Sequence, residues 1–351
     1  DTFFQRSASA QSVTTGGGAL DIYGETIVAN TNGLTVDTTG SGSDGAVVLH
    51  GLLNSGNSYS FTSTTDNYPW TSARADARGG TSGGSAVGDS YLVTITSRLE
   101  NSIAGLTADY QSSWIGAFRD KDNALGNGTN QWYWADGPEA DVNFFTENAG
   151  GPGGTPVDGS FEYFAPGQPD DFSAIGEAYG QFYGEDGFWN DLGNTGTGTE
   201  PFTIKGYVVE TNLAASPVTI DAGTGAVRLE KAVGDTKALA SFTVSGGETR
   251  INGSTVSSEG VQTYNSPVVL GADTTIATTQ SDIVFNETVD SESGESWNLT
   301  ANIVPNTSYY WVDWTGANDT QVFGEVTIDG TTVDVTYSNI SGERNSNGKA
   351  Y

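Results

Sequence analysis

The sequence predicts a mainly β protein in which β-solenoid-like or β-sandwich flanks carry an inserted α+β domain. Three observations lead there. The 351-residue chain holds 48 Gly and is rich in Thr, Ser, Asn and Asp but poor in the helix formers Lys, Glu and Leu, which favours strands and loops. The flanks, about 10–56 and 213–300, are short β-branched runs broken by Gly, Asp, Asn and Ser. The centre, 57–212, has a different texture: it is aromatic and contains five of the eight Trp.

In the flanks, a large apolar residue is followed four positions later by an aliphatic one. This occurs at Tyr23 and Ile27, Leu49 and Leu53, Leu229 and Val233, Tyr264 and Val268, and Phe285 and Val289. An even offset places both residues on one face of a strand. Repeats of about 20–30 residues imply stacked β coils, each burying its apolar face on the next; ordinary sandwich alternation is the other reading. The flanks resemble the repeats of filamentous-haemagglutinin-like bacterial adhesins. The pattern stops near Asn57 and resumes near Val218, so the organisation is a β-repeat segment at 1–56, an inserted domain at 57–212, and a continuing segment at 213–300. Insertion predicts that the flanks join into one solenoid. Residues 301–351 change texture again. Tyr309–Trp314 is aromatic, and Val322–Ile328 and Thr332–Tyr337 alternate about Asp329-Gly330, a hairpin and possible incomplete domain.

Within the centre, Trp70, Ala73 and Ala77 have helical spacing, and Leu99, Ile103 and Leu106 give a second helix over 98–110. Tyr91–Ile95, Trp114–Ala117, Gln131–Gly137, Phe188–Asp191 and Gly206–Glu210 read as strands. A long Gly- and Pro-rich loop runs to about 187, and loops of that length are generally functional. It and the strand after it hold Gln168, Asp170, Glu177, Asn190 and Asp191. Three carboxylates and two amides offer the hard oxygen donors Ca2+ prefers; the alternative is a polar loop of caps and Asx turns. A cis Pro169 would turn Gln168 and Asp170 to one side.

The order Trp-x-x-Ala, Leu-Val-Thr-Ile, Trp-Ile-Gly, Trp-x-Trp-x-x-Gly, Gln-Pro-Asp, Trp-Asn-Asp and Tyr-Val-Val-Glu resembles the C-type lectin fold. That resemblance implies a sugar-binding calcium held by Gln168, Asp170, Glu177, Asn190 and Asp191. It also implies galactose-type specificity from Gln-Pro-Asp, and Phe172 as the ring beneath the sugar. This chain departs from the family in lacking disulfides, in carrying Ala178 where an acidic residue often serves a second calcium, and in a Gly-rich insertion at 147–160. Asp120 and Asp171 remain for that second site.

A formal net charge of −30 repels phosphate backbones and anionic membranes and argues against nucleic-acid binding. No Cys excludes disulfides and thiolate metal sites. No Met marks a processed or excised piece, and no apolar run reaches the length of a membrane span. The lone His50 supports no catalytic triad. Glu185 and Asp186 carry no mark of a glycosidase pair, so an enzyme is not expected. The expectation is an extracellular or cell-surface adhesin segment that binds a glycan. The alternative is a structural subunit of a filament or surface array, assembling with copies of itself.

Overall fold

The structure is a computed structural model. It describes residues 2–5, 9–79, 89–149, 151–172, 176–184, 186–197, 199, 201–279, 281–303, 325–328 and 331–334. The chain divides into two compact units, Asp1–Gly56 with Ala214–Tyr351, and Asn57–Leu213.

The first unit is a β-solenoid of parallel strands with three faces. Two faces are six-stranded sheets, and the third is formed by two three-stranded sheets that Val233 bridges through Leu53 and Val256. The coils run on across the insertion: Leu34–Asp37 pairs in parallel with Pro217–Asp221, and Val47–Leu49 with Ala226–Leu229. Alternate residues point inward, so Val36, Ile220, Val244, Leu229, Ile251, Leu270 and their neighbours form one continuous core. Outward positions stack by identity, as in the column Thr35, Thr219, Thr243 and Thr263. Asn286 donates to Asn265 in the next coil (2.7 Å).

The apolar repeat does not lie on one strand as its even offset predicts. Leu49 ends one strand and Leu53 begins the next. Leu229 and Val233, Tyr264 and Val268, and Phe285 and Val289 likewise bracket a corner, each partner buried on a different face. In the first coil the pattern is shifted. Ile22 aligns with Leu49 and Thr26 with Leu53, while Tyr23 is 68% exposed and stacks on His50 with ring centroids 4.2 Å apart. His50 also lies 3.0 Å from Asp21. At Gly51 a Cβ would sit 1.6 Å from the Gly24 carbonyl oxygen, so this corner admits no side chain.

Tyr264 is fully buried between Phe242 and Phe285 and donates to Gln262 Oε1 (2.8 Å). Tyr264→Ala is expected to destabilise the solenoid by about 3–5 kcal/mol, read as a shift in its denaturant midpoint. Beyond the coils, Glu325–Ile328 pairs antiparallel with Thr331–Asp334. Asp329-Gly330, Tyr309–Trp314 and the remainder of the C-terminal stretch lie outside the described residues.

The second unit is α+β around a nine-stranded sheet. Its terminal strands, Ser58–Ser63 and Gly206–Thr211, pair antiparallel from Ser58↔Thr211 to Ser63↔Gly206. The helix Trp70–Ala77 buries Trp70, Ala73 and Ala77. The Trp70 indole donates to Ile115 O (2.8 Å), and Arg74 forks onto the buried Asp136 (2.8 and 3.0 Å). The helix Arg98–Thr107 starts at Ser97, whose side chain accepts from Glu100 N, while the Glu100 carboxylate accepts from Thr96 N (2.7 Å), a variant of the capping box.

Two expectations are corrected here. Leu106 is 67% exposed; the buried arc of its helix is rotated toward Asn101 and Gly105. Asn101 accepts from the Trp189 indole (2.7 Å) and donates to Gly187 O (3.1 Å). The long loop is also broken by structure. Asn143–Glu147 pairs with Gln131–Trp134 and with Gly154–Pro156, because Phe144 and Phe145 both have buried sites to fill.

Candidate cation and ligand site

Three elements build the site. The loop after the Gly154–Pro156 hairpin supplies Gln168 and Asp170, a second stretch of loop supplies Glu177, and the strand Phe188–Leu192 supplies Asn190 and Asp191. The Gln168–Pro169 bond is cis. Pro169 O accepts from Gly153 N (2.8 Å), which ties the Gly-rich insertion to the loop.

The structure brings Asp170, Glu177 and Asp191 together, with carboxylate oxygens within 4.8 Å of one another. Asp191 is fully buried and organises the loop backbone: Oδ1 accepts from Asp170 N (3.1 Å) and Oδ2 from Asp171 N (3.0 Å). Glu177 Oε2 accepts from Phe172 N (2.9 Å), and Glu177 N donates to Asp171 Oδ1 (2.8 Å). Asn190 is buried beside Asp191 on the same strand, and its Nδ2 donates to Asp191 O. Gln168 Oε1 is buried without a hydrogen-bond partner. Phe172 projects from the rim at 87% exposure.

Among the described residues, no Lys or Arg pairs with Asp170, Glu177 or Asp191. The electrostatic consequence is visible at two of the three. Burial, then the charges of Asp191, Asp170 and Asp171, push the Glu177 carboxyl up to about 7. Burial raises Asp191 to about 6, with Asp170 adding to the rise and the two loop amides opposing it. Such a cluster accumulates negative charge that only protons or a cation can relieve.

Asp120 and Asp171 do not complete a second site of this kind. Asp120 caps its own turn, accepting from Ala124 N (2.8 Å) and Leu125 N (2.7 Å), and Asp171 pairs with Arg119 (2.9 Å). Ala178 is buried, with its carbonyl bonded to Arg119 N. Glu185 lies outside the described residues. Sequence reasoning missed Arg119 and Glu147. The available signal was a basic residue closing the apolar strand Ser113–Arg119 in a strongly acidic chain.

No protein-family model matches the chain, and no curated protein matches it. Among solved structures it is similar to the cow C-type carbohydrate-recognition domain of CD23, solved in the presence of GlcNAc2Man3 oligosaccharide. Identity there is 20%, over 45% of this chain and 90% of that one, with a TM-score of 0.30. It is also similar to the C-type lectin CEL-I from Cucumaria echinata, at 22% identity over 44% of this chain and 91% of that one, with a TM-score of 0.29. The protein is a mainly β solenoid with an inserted α+β domain. Within that domain the chain pairs its terminal strands, carries two helices and sets a Gln-cis-Pro-Asp loop against Trp-Asn-Asp.

Proposed function

We propose that the Asn57–Leu213 unit binds carbohydrate through one calcium ion. Asp170, Glu177 and Asp191 would hold the ion with the side-chain oxygens of Gln168 and Asn190. The observation that carries this reading is the convergence of three carboxylates with no basic partner among the described residues. The donor set fits: all its members are hard oxygens, as Ca2+ prefers, and Gln168 Oε1 is buried and unpaired. When bound, calcium would supply open coordination positions for a pair of sugar hydroxyls. The chain's own part is to orient those hydroxyls by hydrogen bonds and to offer Phe172, exposed at the rim, to the apolar face of the sugar. A galactose-type sugar suits that flat aromatic contact.

In this reading the chain is an extracellular adhesin segment of filamentous-haemagglutinin-like type. Many copies in a surface protein or filament would raise a weak single-site affinity into useful adhesion.

Calorimetry on the whole chain tests the calcium site. One saturable calcium per chain is expected, lost by at least about a hundredfold in affinity in an Asp170→Ala, Asn190→Ala variant. A glycan array with and without calcium then tests the sugar, with Phe172→Ala expected to weaken galactose-type binding about tenfold and leave calcium affinity unchanged. Absence of calcium binding in the unaltered protein sinks this mechanism and leaves the lectin-like unit as a protein-contact module of a filament or array.

A further inference from the structure

A guanidinium stands beside the loop and takes no part in the cation cluster. Arg119 closes the strand Ser113–Arg119, and its side chain is 9% exposed. Nη1 reaches both oxygens of Glu147 (3.2 Å each), and Nη2 reaches Asp171 Oδ1 (2.9 Å). Glu147, itself buried, also accepts from the Trp132 indole (3.1 Å). One end of the guanidinium is therefore fixed to the sheet and the other to the loop. It forms the one ion pair that the described residues of 151–187 make. A planar fork suits that task, since its donors hold two carboxylates in a fixed relation.

The same Asp171 oxygen accepts from Glu177 N, and Asp171 N donates to Asp191 Oδ2. Asp171 is thus joined to the sheet through Arg119 and to two members of the cation cluster through its own backbone and side chain.

We propose that Arg119 is a positioning residue that acts as a fixed cation, holding Asp171, and with it the Asp170–Glu177 side of the loop, in its ligating arrangement before any divalent ion arrives. This rests on the calcium reading for its purpose but not for its geometry. With the fixed cation in place, the loop is half-built in the metal-free protein, so calcium need not order it from a free chain. The same positive charge occupies the position beside Asp171 and Glu147, so the loop takes one divalent ion rather than two.

The test is amide hydrogen exchange of the whole chain in excess chelator, for the unaltered protein, Arg119→Gln and Arg119→Lys. Exchange at Asp171, Phe172 and Glu177 is expected to be at least tenfold faster in Arg119→Gln and partly restored in Arg119→Lys, which keeps the charge but loses the fork. The amides of Ala117 and Trp134 in the underlying sheet should change little. Equal exchange at the loop amides in all three proteins, or acceleration shared equally by the sheet, overturns the proposal. Adding calcium separates the two readings. Loop protection restored in Arg119→Gln supports both. Loop amides that respond to Arg119 but not to calcium leave the positioning role standing and remove the metal.

Discussion

Calcium affinity should fall by about a hundred- to a thousandfold between pH 8 and pH 5. The cause is competition between protons and the ion for the same oxygens. Glu177 titrates near 7 and Asp191 near 6, so both are ionised at pH 8 and both must lose a proton to ligate at pH 5. Affinity approaches its full value near pH 8, weakens first as Glu177 takes up its proton around pH 7, and weakens again as Asp191 follows near 6. The metal-free protein behaves in the opposite way. Both folded-state values lie above those of the unfolded chain, so folding favours the protonated forms. The contribution of these two groups to stability is then fullest in acid and declines as pH rises from the ordinary carboxylate range through 6 and 7, by a few kcal/mol in total. Saturating calcium should reverse that slope. Calorimetric titrations at pH 5, 6, 7 and 8 read the first effect, and denaturant unfolding with and without chelator reads the second. A flat affinity across that range would show that these two carboxylates are not ligands.

Glu210→Gln should stabilise the Asn57–Leu213 unit by on the order of 2 kcal/mol at pH 8 and change little at pH 5. Glu210 is 2% exposed; it accepts from Asn57 Nδ2 (2.6 Å) and Thr94 N (3.0 Å). The Thr94 hydroxyl lies 3.1 Å from Glu210 and 2.9 Å from Glu139, yet it carries a single hydrogen for two carboxylates. Burial foremost, then the neighbouring charge of Glu100, lifts the Glu210 carboxyl well above its ordinary range. A raised folded-state value makes the penalty absent in acid and fullest in base. Asn57 donates to Oε1 and Thr94 N to Oε2, so a neutral amide removes the charge but keeps an acceptor for only one of the two, which limits the gain. Tryptophan fluorescence is weighted toward this unit's unfolding, since it carries five of the eight Trp. Equal stabilisation at both pH values would mean that ionisation of Glu210 is not what the substitution relieves.

The solenoid was legible because its inward residues are large and aliphatic at regular intervals; its corners were not. An offset of four fits two positions on one strand as well as it fits the last residue before a bend and the first after it. Only the pairing of Ile22 with Leu49, rather than of Tyr23, resolves the first coil. Residue types alone left Asp170, Glu177 and Asp191 open between a cation site and a polar loop of caps; the order of the motifs around them is what pointed to their convergence. Arg119 and Glu210 were hidden because their meaning lies in partners far along the chain, Asp171 for one and Asn57 with Thr94 for the other. The Phe144–Phe145 strand escaped notice within a Gly-rich stretch, where composition outweighed a short apolar run.

Ser58 and Thr211 face each other as strand partners, and Ser55 and Ser216 are hydrogen-bonded within the coil ladder. Entry and exit of the inserted domain therefore lie one strand spacing apart, about 5 Å. For the coil ladder, the insertion therefore amounts to a hairpin turn: the chain leaves and rejoins the ladder over one short gap, and the coils before and after it pair as if consecutive.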